Sequence, residues 1–106
     1  MSEDAKFLLE TFKRQYSAIK ETLTSRRRYI DDFDRLSFHA WAIGEVVKII
    51  ENCTMYISVH EIRCILDESY VMYMGFYEED HVRHLKFKHA ADAVEKLYKV
   101  TEGFAC

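Results

Sequence analysis

Residues 2–24 read SEDAKFLLETFKRQYSAIKETLT, and the spacing of apolar side chains in this stretch decides the fold class. The apolar residues recur every three or four positions, which places them on one face of an α-helix. Lysine, serine and glutamate fill the other face. The stretch therefore predicts an amphipathic helix. Its inward face consists of Ala5, Leu8, Leu9, Phe12, Tyr16, Ile19 and Leu23.

The rest of the chain contains nothing that would break long helices. The 106 residues include three glycines and no proline, and a proline in a helix interior costs about 3 kcal/mol. Apolar spacing predicts three further helices, and we place a turn near Ser25 between the first and the second. The predicted helices cover residues 29–52, 58–78 and 80–102.

Two of these predicted helices have recognisable starts. Ser58 and Glu61 have the spacing of a capping box, and Asp80 is a suitable N-terminal cap for the last helix. Four helices joined by short loops favour antiparallel neighbours. The sequence therefore predicts one all-α domain over residues 1–106, an antiparallel up-down four-helix bundle, with a looser orthogonal array as the alternative.

Composition narrows the class of function. The net charge of −3 does not favour nucleic-acid binding by a broadly basic surface. The chain has no apolar run near the ~20 residues of a membrane span, and its acidic start is unlike a signal peptide. The cysteines Cys53, Cys64 and Cys106 are odd in number and lack metal-finger spacing, which predicts free thiols. We expect a cytoplasmic protein without a membrane partner.

The only basic run is Arg26-Arg27-Arg28. Three guanidinium groups in a row could bind phosphate or an acidic partner, which keeps a nucleic-acid role open without favouring it. Asp31, Asp32 and Asp34 follow at once, at spacings that allow local pairing. The sequence thus predicts a weak anion site at most.

The apolar pattern breaks on the second and third helices. Trp41 projects with polar residues, Phe38 borders the same sector, and Val71 and Met74 face away from the buried stripe of their helix. Residues 70–77, YVMYMGFY, contain no charge over two turns. A helix that is apolar all round must be surrounded. The predicted partner-binding residues are Phe38, Trp41, Tyr70, Val71 and Met74.

These observations predict a protein-binding module, such as a regulator, inhibitor or accessory factor. It would act through an aromatic- and methionine-bearing face on a protein partner, on a second copy of itself as a homodimer, or on both. Internal packing in an orthogonal fold is the alternative explanation of the same residues. No catalytic signature or phosphate-binding loop is present, and we expect no cofactor.

Histidines and a cysteine offer a second class of function, a ligand or metal sensor. His60 and Cys64 are four residues apart and could share a helical face, as could His81 and His84 three residues apart. Structural zinc usually needs four ligands, and neither pair has a partner pair of matching spacing. A metal site is therefore a weak alternative.

The segment Arg83-His84-Leu85-Lys86-Phe87-Lys88-His89 resembles the Arg-polar-x4-His signature of the HEPN ribonucleases, small all-α domains that pair two subunits around a metal-independent RNA-cleaving site. The resemblance covers seven residues and implies that Arg83 stabilises the phosphorane while His89 acts as acid or base. Toxin members of that family have a tyrosine where this chain has Ala91. The register of the predicted fourth helix puts Arg83 on one face with Phe87. A dimeric ribonuclease is the alternative hypothesis.

Overall fold

The computed structural model describes residues 1–25, 32–53 and 55–104. Within these ranges the chain forms helices and connecting turns without any strand, which confirms the all-α prediction. The elements are α1 (Glu3–Ser25), α2 (Phe33–Glu51), α3 (Val59–Glu79), α4 (Leu85–Thr101) and a short 3-10 helix (Glu102–Phe104).

Contacts near the helix ends fix the directions of the four helices. The backbone N–H of Ser2, before α1, donates to the carbonyl of Ile57, before α3, at 3.0 Å. The rings of Phe7 in α1 and Phe104 after α4 lie 5.6 Å apart. Lys13 in α1 pairs with Glu51 at the end of α2 at 3.1 Å. Successive helices therefore run in opposite directions, as an up-down bundle requires.

The helices pack as two hairpins that are joined mainly by contacts between α2 and α4. α1 packs on α2 and α3 packs on α4, while α2 contacts α4 more extensively than it contacts α3. Gly44 of α2 allows a close approach to α1, because a Cβ there would lie 3.0 Å from the ring of Tyr16. The largest side chains with less than 2% exposure are Phe12, Leu8, Ile50, Ile62, Leu66, Leu97, Val46 and Val94.

The capping box predicted at the third helix is present. The carboxylate of Glu61 accepts a hydrogen bond from the backbone N–H of Ser58 at 3.0 Å, and the Ser58 hydroxyl also contacts this carboxylate. The Ser58 side chain in turn accepts from the backbone of Glu61. These reciprocal bonds satisfy backbone donors that a helix start leaves unpaired, and α3 begins at the next residue, Val59.

The predicted start of the fourth helix at residue 80 is wrong by five residues. The carboxylate of Asp80 accepts from the backbone N–H of Arg83 at 3.1 Å, and its carbonyl accepts from the N–H of His84 at 2.9 Å. Asp80 therefore closes a separate turn over residues 81–84, and α4 begins at Leu85. Arg83 is exposed in this turn rather than on the inward stripe with Phe87.

The other predicted boundaries differ less. α1 and α3 each lie one residue further along the chain than predicted. For the second helix, residues 29–31 lie outside the described residues, and the described part begins at Phe33. The last helix ends as α-helix at Thr101, and the 3-10 helix follows it.

Candidate protein-binding surface

Besides Val71, four large apolar side chains on α2 and α3 stay partly open to solvent. The exposed fractions are 43% for Trp41, 45% for Ile49, 48% for Met72 and 40% for Phe76. Met72 and Phe76 are one turn apart on α3 and share a helical face, whereas Trp41 and Ile49 are eight residues apart on α2 and point about 80° apart around the helix. We call these four residues the α2/α3 face.

A series of aromatic contacts connects two residues of this face to the interior of the bundle. The ring of Trp41 lies 5.6 Å from that of Tyr73, and Tyr73 lies 6.1 Å from Phe87 of α4. Phe76 also packs on Phe87, with ring centroids 4.8 Å apart. Tyr73 is 3% exposed, and its burial, followed by the charge of Glu45, raises the pKa of its hydroxyl. Trp41 therefore packs on the buried ring of Tyr73, and Phe76 packs on the partly buried ring of Phe87.

Trp41 also borders a groove on its other side. The groove has a volume of about 470 Å³ and lies between the end of α1 and the start of α2. Apolar and polar side chains alternate along it, so a partner side chain inserted beside Trp41 would meet both kinds. The groove is lined by Tyr16, Lys20, Leu23, Thr24, Phe33, Ser37, Ala40 and Trp41.

The structure does not bring the five predicted partner-binding residues onto one surface. Trp41 lies on the α2/α3 face, and Phe38 is partly buried one turn before it. Val71 is 64% exposed, but two residues of helix rotate it to the side of α3 opposite Tyr73, the ring that Trp41 contacts. Val71 therefore lies on the side of α3 that faces away from Trp41.

The remaining two predicted residues turn toward the interior. Tyr70 lines a groove of about 250 Å³ with Val94 and Tyr98 of α4, and both Tyr70 and Met74 are partly buried against the core. Their apolar surface is thus covered in large part by the hairpin of α3 and α4.

Three members of the α2/α3 face were not predicted from the sequence. Ile49 and Met72 are not among the predicted partner-binding residues. The apolar spacing of the third helix predicts an inward stripe that consists of Ile62, Ile65, Leu66, Ser69, Tyr73 and Phe76. The stripe assignment is correct for Tyr73, but Phe76 lies one turn later and stays 40% exposed. The uncharged segment 70–77 was the available signal, because it contains both Met72 and Phe76.

The predicted metal-ligating pairs differ in geometry. The thiol of Cys64 lies 3.7 Å from Nε2 of His60, so these two residues do share a face. His81 and His84 lie in the turn before α4 rather than on a helix. His84 Nδ1 is 2.8 Å from the carbonyl of Phe76, and the His81 ring stacks on Tyr77 at 4.5 Å. Residues 1–25, 32–53 and 55–104 contain no group of three such side chains that could hold a metal ion.

The residues of the ribonuclease hypothesis lie on different elements. Arg83 is exposed in the turn, and His89 is partly buried within α4. The structure adds no contact that joins them, and their catalytic role stays a prediction. The predicted anion site at Arg26, Arg27 and Arg28 lies outside the described residues.

His39 is a buried titratable residue that is not among the predicted site residues. It is 5% exposed, and its Nε2 is buried without a hydrogen-bond partner among the residues that the structure describes. Burial, with smaller effects of Lys96 and Arg35, lowers its pKa to about 4, whereas Asp92 opposes the shift and His89 adds to it. His39 is therefore neutral near pH 7. Its position on the inward stripe of α2, four residues before Ile43, was the signal that could have identified it.

Comparisons with known protein families, with curated proteins and with solved structures find no match. In the part of the chain that the structure describes, no helix has both the length and the apolar character needed to cross a membrane.

Proposed function

We propose that this protein is a small protein-binding module that uses the α2/α3 face to recognise a partner, with a second copy of the chain as one such partner. The observation that carries the proposal is the exposure of Trp41, Ile49, Met72 and Phe76, each 40–48%, on two helices that the contact between Trp41 and Tyr73 joins. Exposed apolar patches on a protein surface mark interaction sites.

The composition of the face suits protein recognition. Tryptophan and other aromatic side chains supply much of the binding energy at protein interfaces, and methionine adapts to irregular surfaces. Covering a further ~100 Å² of apolar surface on one such side chain contributes about 2.5 kcal/mol before the costs of association. Trp41 needs little ordering on binding, because it already packs on Tyr73 at 5.6 Å.

We further propose that this protein works in the cytoplasm as a regulator, inhibitor or accessory factor. Support comes from Cys53 and Cys64, which are both exposed free thiols. Exposed unpaired thiols suit a reducing compartment.

Light scattering after size-exclusion chromatography over a tenfold concentration range tests self-recognition. We expect the mass to rise from 12.6 kDa toward twice that value in the wild-type protein. Met72→Glu places a charge on the α2/α3 face and should hold the mass at that of one chain. Val71→Glu is the matched control, because Val71 is also exposed but lies on the side of α3 opposite Tyr73, the residue that Trp41 contacts.

The two variants also separate the competing surfaces. Loss of association in Met72→Glu alone supports the α2/α3 face. Loss in Val71→Glu alone moves the interface to the outward side of α3 and contradicts the proposal. A mass of one chain at every wild-type concentration contradicts self-recognition.

A further inference from the structure

The turn between α3 and α4 presents an exposed surface with apolar and charged parts. Val82 is 92% exposed and Leu85 is 49% exposed. Charged side chains flank them on both sides along the chain, and these are also exposed. We call this group the 78–86 surface; its members are Glu78, Glu79, Val82, Arg83, Leu85 and Lys86.

The charges on this surface have the wrong sign for the helices that carry them. A helix C-terminus favours cations and an N-terminus favours anions. The last turn of α3 has Glu78 and Glu79 and no basic residue, and the first turn of α4 has Lys86 and no acidic residue. The first turns of α1, α2 and α3 carry acids, and the last turns of α2 and α4 carry lysine. The two helix ends beside this turn therefore depart from the arrangement found at those five.

These charges are not neutralised within the described part of the chain. Glu78, Glu79 and Arg83 form no ion pair there, whereas seven ion pairs occur elsewhere in the bundle. Lys86 makes no ion pair either, and its ammonium lies 5.2 Å from the ring centroid of Phe87. Local preferences that a sequence violates without internal compensation are typical of functional sites.

We propose that two copies of this chain meet through their 78–86 surfaces in a two-fold symmetric pair. In such a pair the same patch meets itself in reversed orientation. The acidic end of α3 in one copy then faces Arg83 and Lys86 of the other, twice over, with Val82 and Leu85 between them. Cations from the second copy complement both the glutamates and the C-terminal dipole of α3.

The turn that carries the 78–86 surface contacts one residue of the α2/α3 face, Phe76. His84 in the turn contacts the carbonyl of Phe76 at 2.8 Å, and Phe76 packs on Phe87 of α4 at 4.8 Å. The inference rests on the self-recognition proposed above and adds the chemistry that selects a second copy. The α2/α3 face supplies apolar area, and the turn supplies orientation through charge.

A charge-swap experiment tests the inference. Glu78→Lys/Glu79→Lys makes the whole surface positive, and Arg83→Glu/Lys86→Glu makes it negative. We expect each variant alone to have the mass of one chain, because like charges then face each other. An equimolar mixture should have twice that mass, because the opposite surfaces match, and added salt should weaken the mixed pair.

Controls separate this result from misfolding and from general charge effects. Both substitutions place favourable charges at helix ends, so each variant should melt at or above the temperature of the wild-type single chain. Glu10→Lys/Glu21→Lys changes two exposed acids of α1 by the same amount and should associate as the wild type does. Loss of association in this control overturns the inference.

Parallel measurement of Met72→Glu distinguishes the two proposals. If the charge variants associate as the wild type does while Met72→Glu does not, the 78–86 surface is excluded and the α2/α3 face stands. If no species and no mixture exceeds the mass of one chain, both proposals fail. Recovery of the double mass only in the mixture supports the inference.

Discussion

The indole of Trp41 on α2 packs against the ring of Tyr73 on α3, with centroids 5.6 Å apart and planes inclined at 53°. This contact links two sequence-adjacent helices that otherwise touch little, because α2 packs mainly on α1 and α4. One side chain thus serves both the fold and the α2/α3 face.

We expect Trp41→Ala to destabilise the single chain by about 2 kcal/mol, from lost burial and the lost aromatic pair. Trp41→Phe should lose about half as much, because a smaller ring can still pack on Tyr73. Urea denaturation followed by circular dichroism at low concentration measures both. An unchanged midpoint in Trp41→Ala would show that its contact with Tyr73 contributes nothing to stability.

Trp41 is the only tryptophan in the chain, so its fluorescence reports on the α2/α3 face. Trp41 is 43% exposed in the single chain, and we expect acrylamide to quench it less as protein concentration rises and association covers it. Met72→Glu should show quenching that does not depend on concentration. Equal quenching of wild type at all concentrations, despite a rise in mass, would place the interface away from Trp41.

The two mid-helix glycines should respond in opposite ways to alanine. A Cβ on Gly75 would meet nothing within 4 Å, so Gly75→Ala should stabilise the protein by up to about 1 kcal/mol through helix propensity. A Cβ on Gly44 would lie 3.0 Å from the ring of Tyr16, which packs against the core. Gly44→Ala should cost about 1 kcal/mol net. Thermal melting compares them, and stabilisation by Gly44→Ala would show that Tyr16 moves aside freely.

His39 predicts a loss of stability in mild acid. Its pKa is about 4 in the folded chain, whereas an unfolded histidine has a pKa near 6.5. As the pH falls through 6.5, His39 therefore binds a proton in the unfolded chain but stays neutral in the folded chain, and this difference favours unfolding. The expected loss between pH 7 and pH 5 is about 2 kcal/mol from this residue.

The matched variant for this prediction is His39→Leu, which removes the titrating group and keeps an apolar side chain in the core. Urea denaturation at pH 7 and pH 5 should show a smaller difference for His39→Leu than for wild type. His89→Leu, which removes a partly buried histidine of α4, is the comparison. The same acid sensitivity in His39→Leu and wild type would assign the effect to other groups.

Local patterns account for what the sequence predicted well. The inward stripe of α1 and the capping box of Ser58 and Glu61 depend on residues three or four positions apart, so they are visible without tertiary structure. The start of α4 was misplaced because Asp80 can cap a helix or close a turn, and the two uses look alike in sequence. The bond to Arg83 would be the same in both cases, and only the separate turn over residues 81–84 distinguishes them.

The residues of the candidate surface could not be predicted from helical periodicity alone. A stripe shows which side of a helix is apolar, but not which neighbour covers it. Phe76 follows the inward stripe and still reaches solvent, whereas Met74 lies off that stripe and is partly buried. α2 packs on α4 in preference to α3, and helical periodicity does not show this pairing. Whether an apolar residue on a helix is buried or exposed depends on which helices pack together.

The contact between Phe7 and Phe104 places Ser2 and Phe104 at the end of the bundle away from the α3–α4 turn. The 21 residues of α3 span roughly 30 Å. In a pair joined through the 78–86 surfaces, anything attached before Ser2 or after Phe104 would lie in each copy about one helix length from the shared turn. Such a pair would act as a spacer that fixes how far apart its attachments are held.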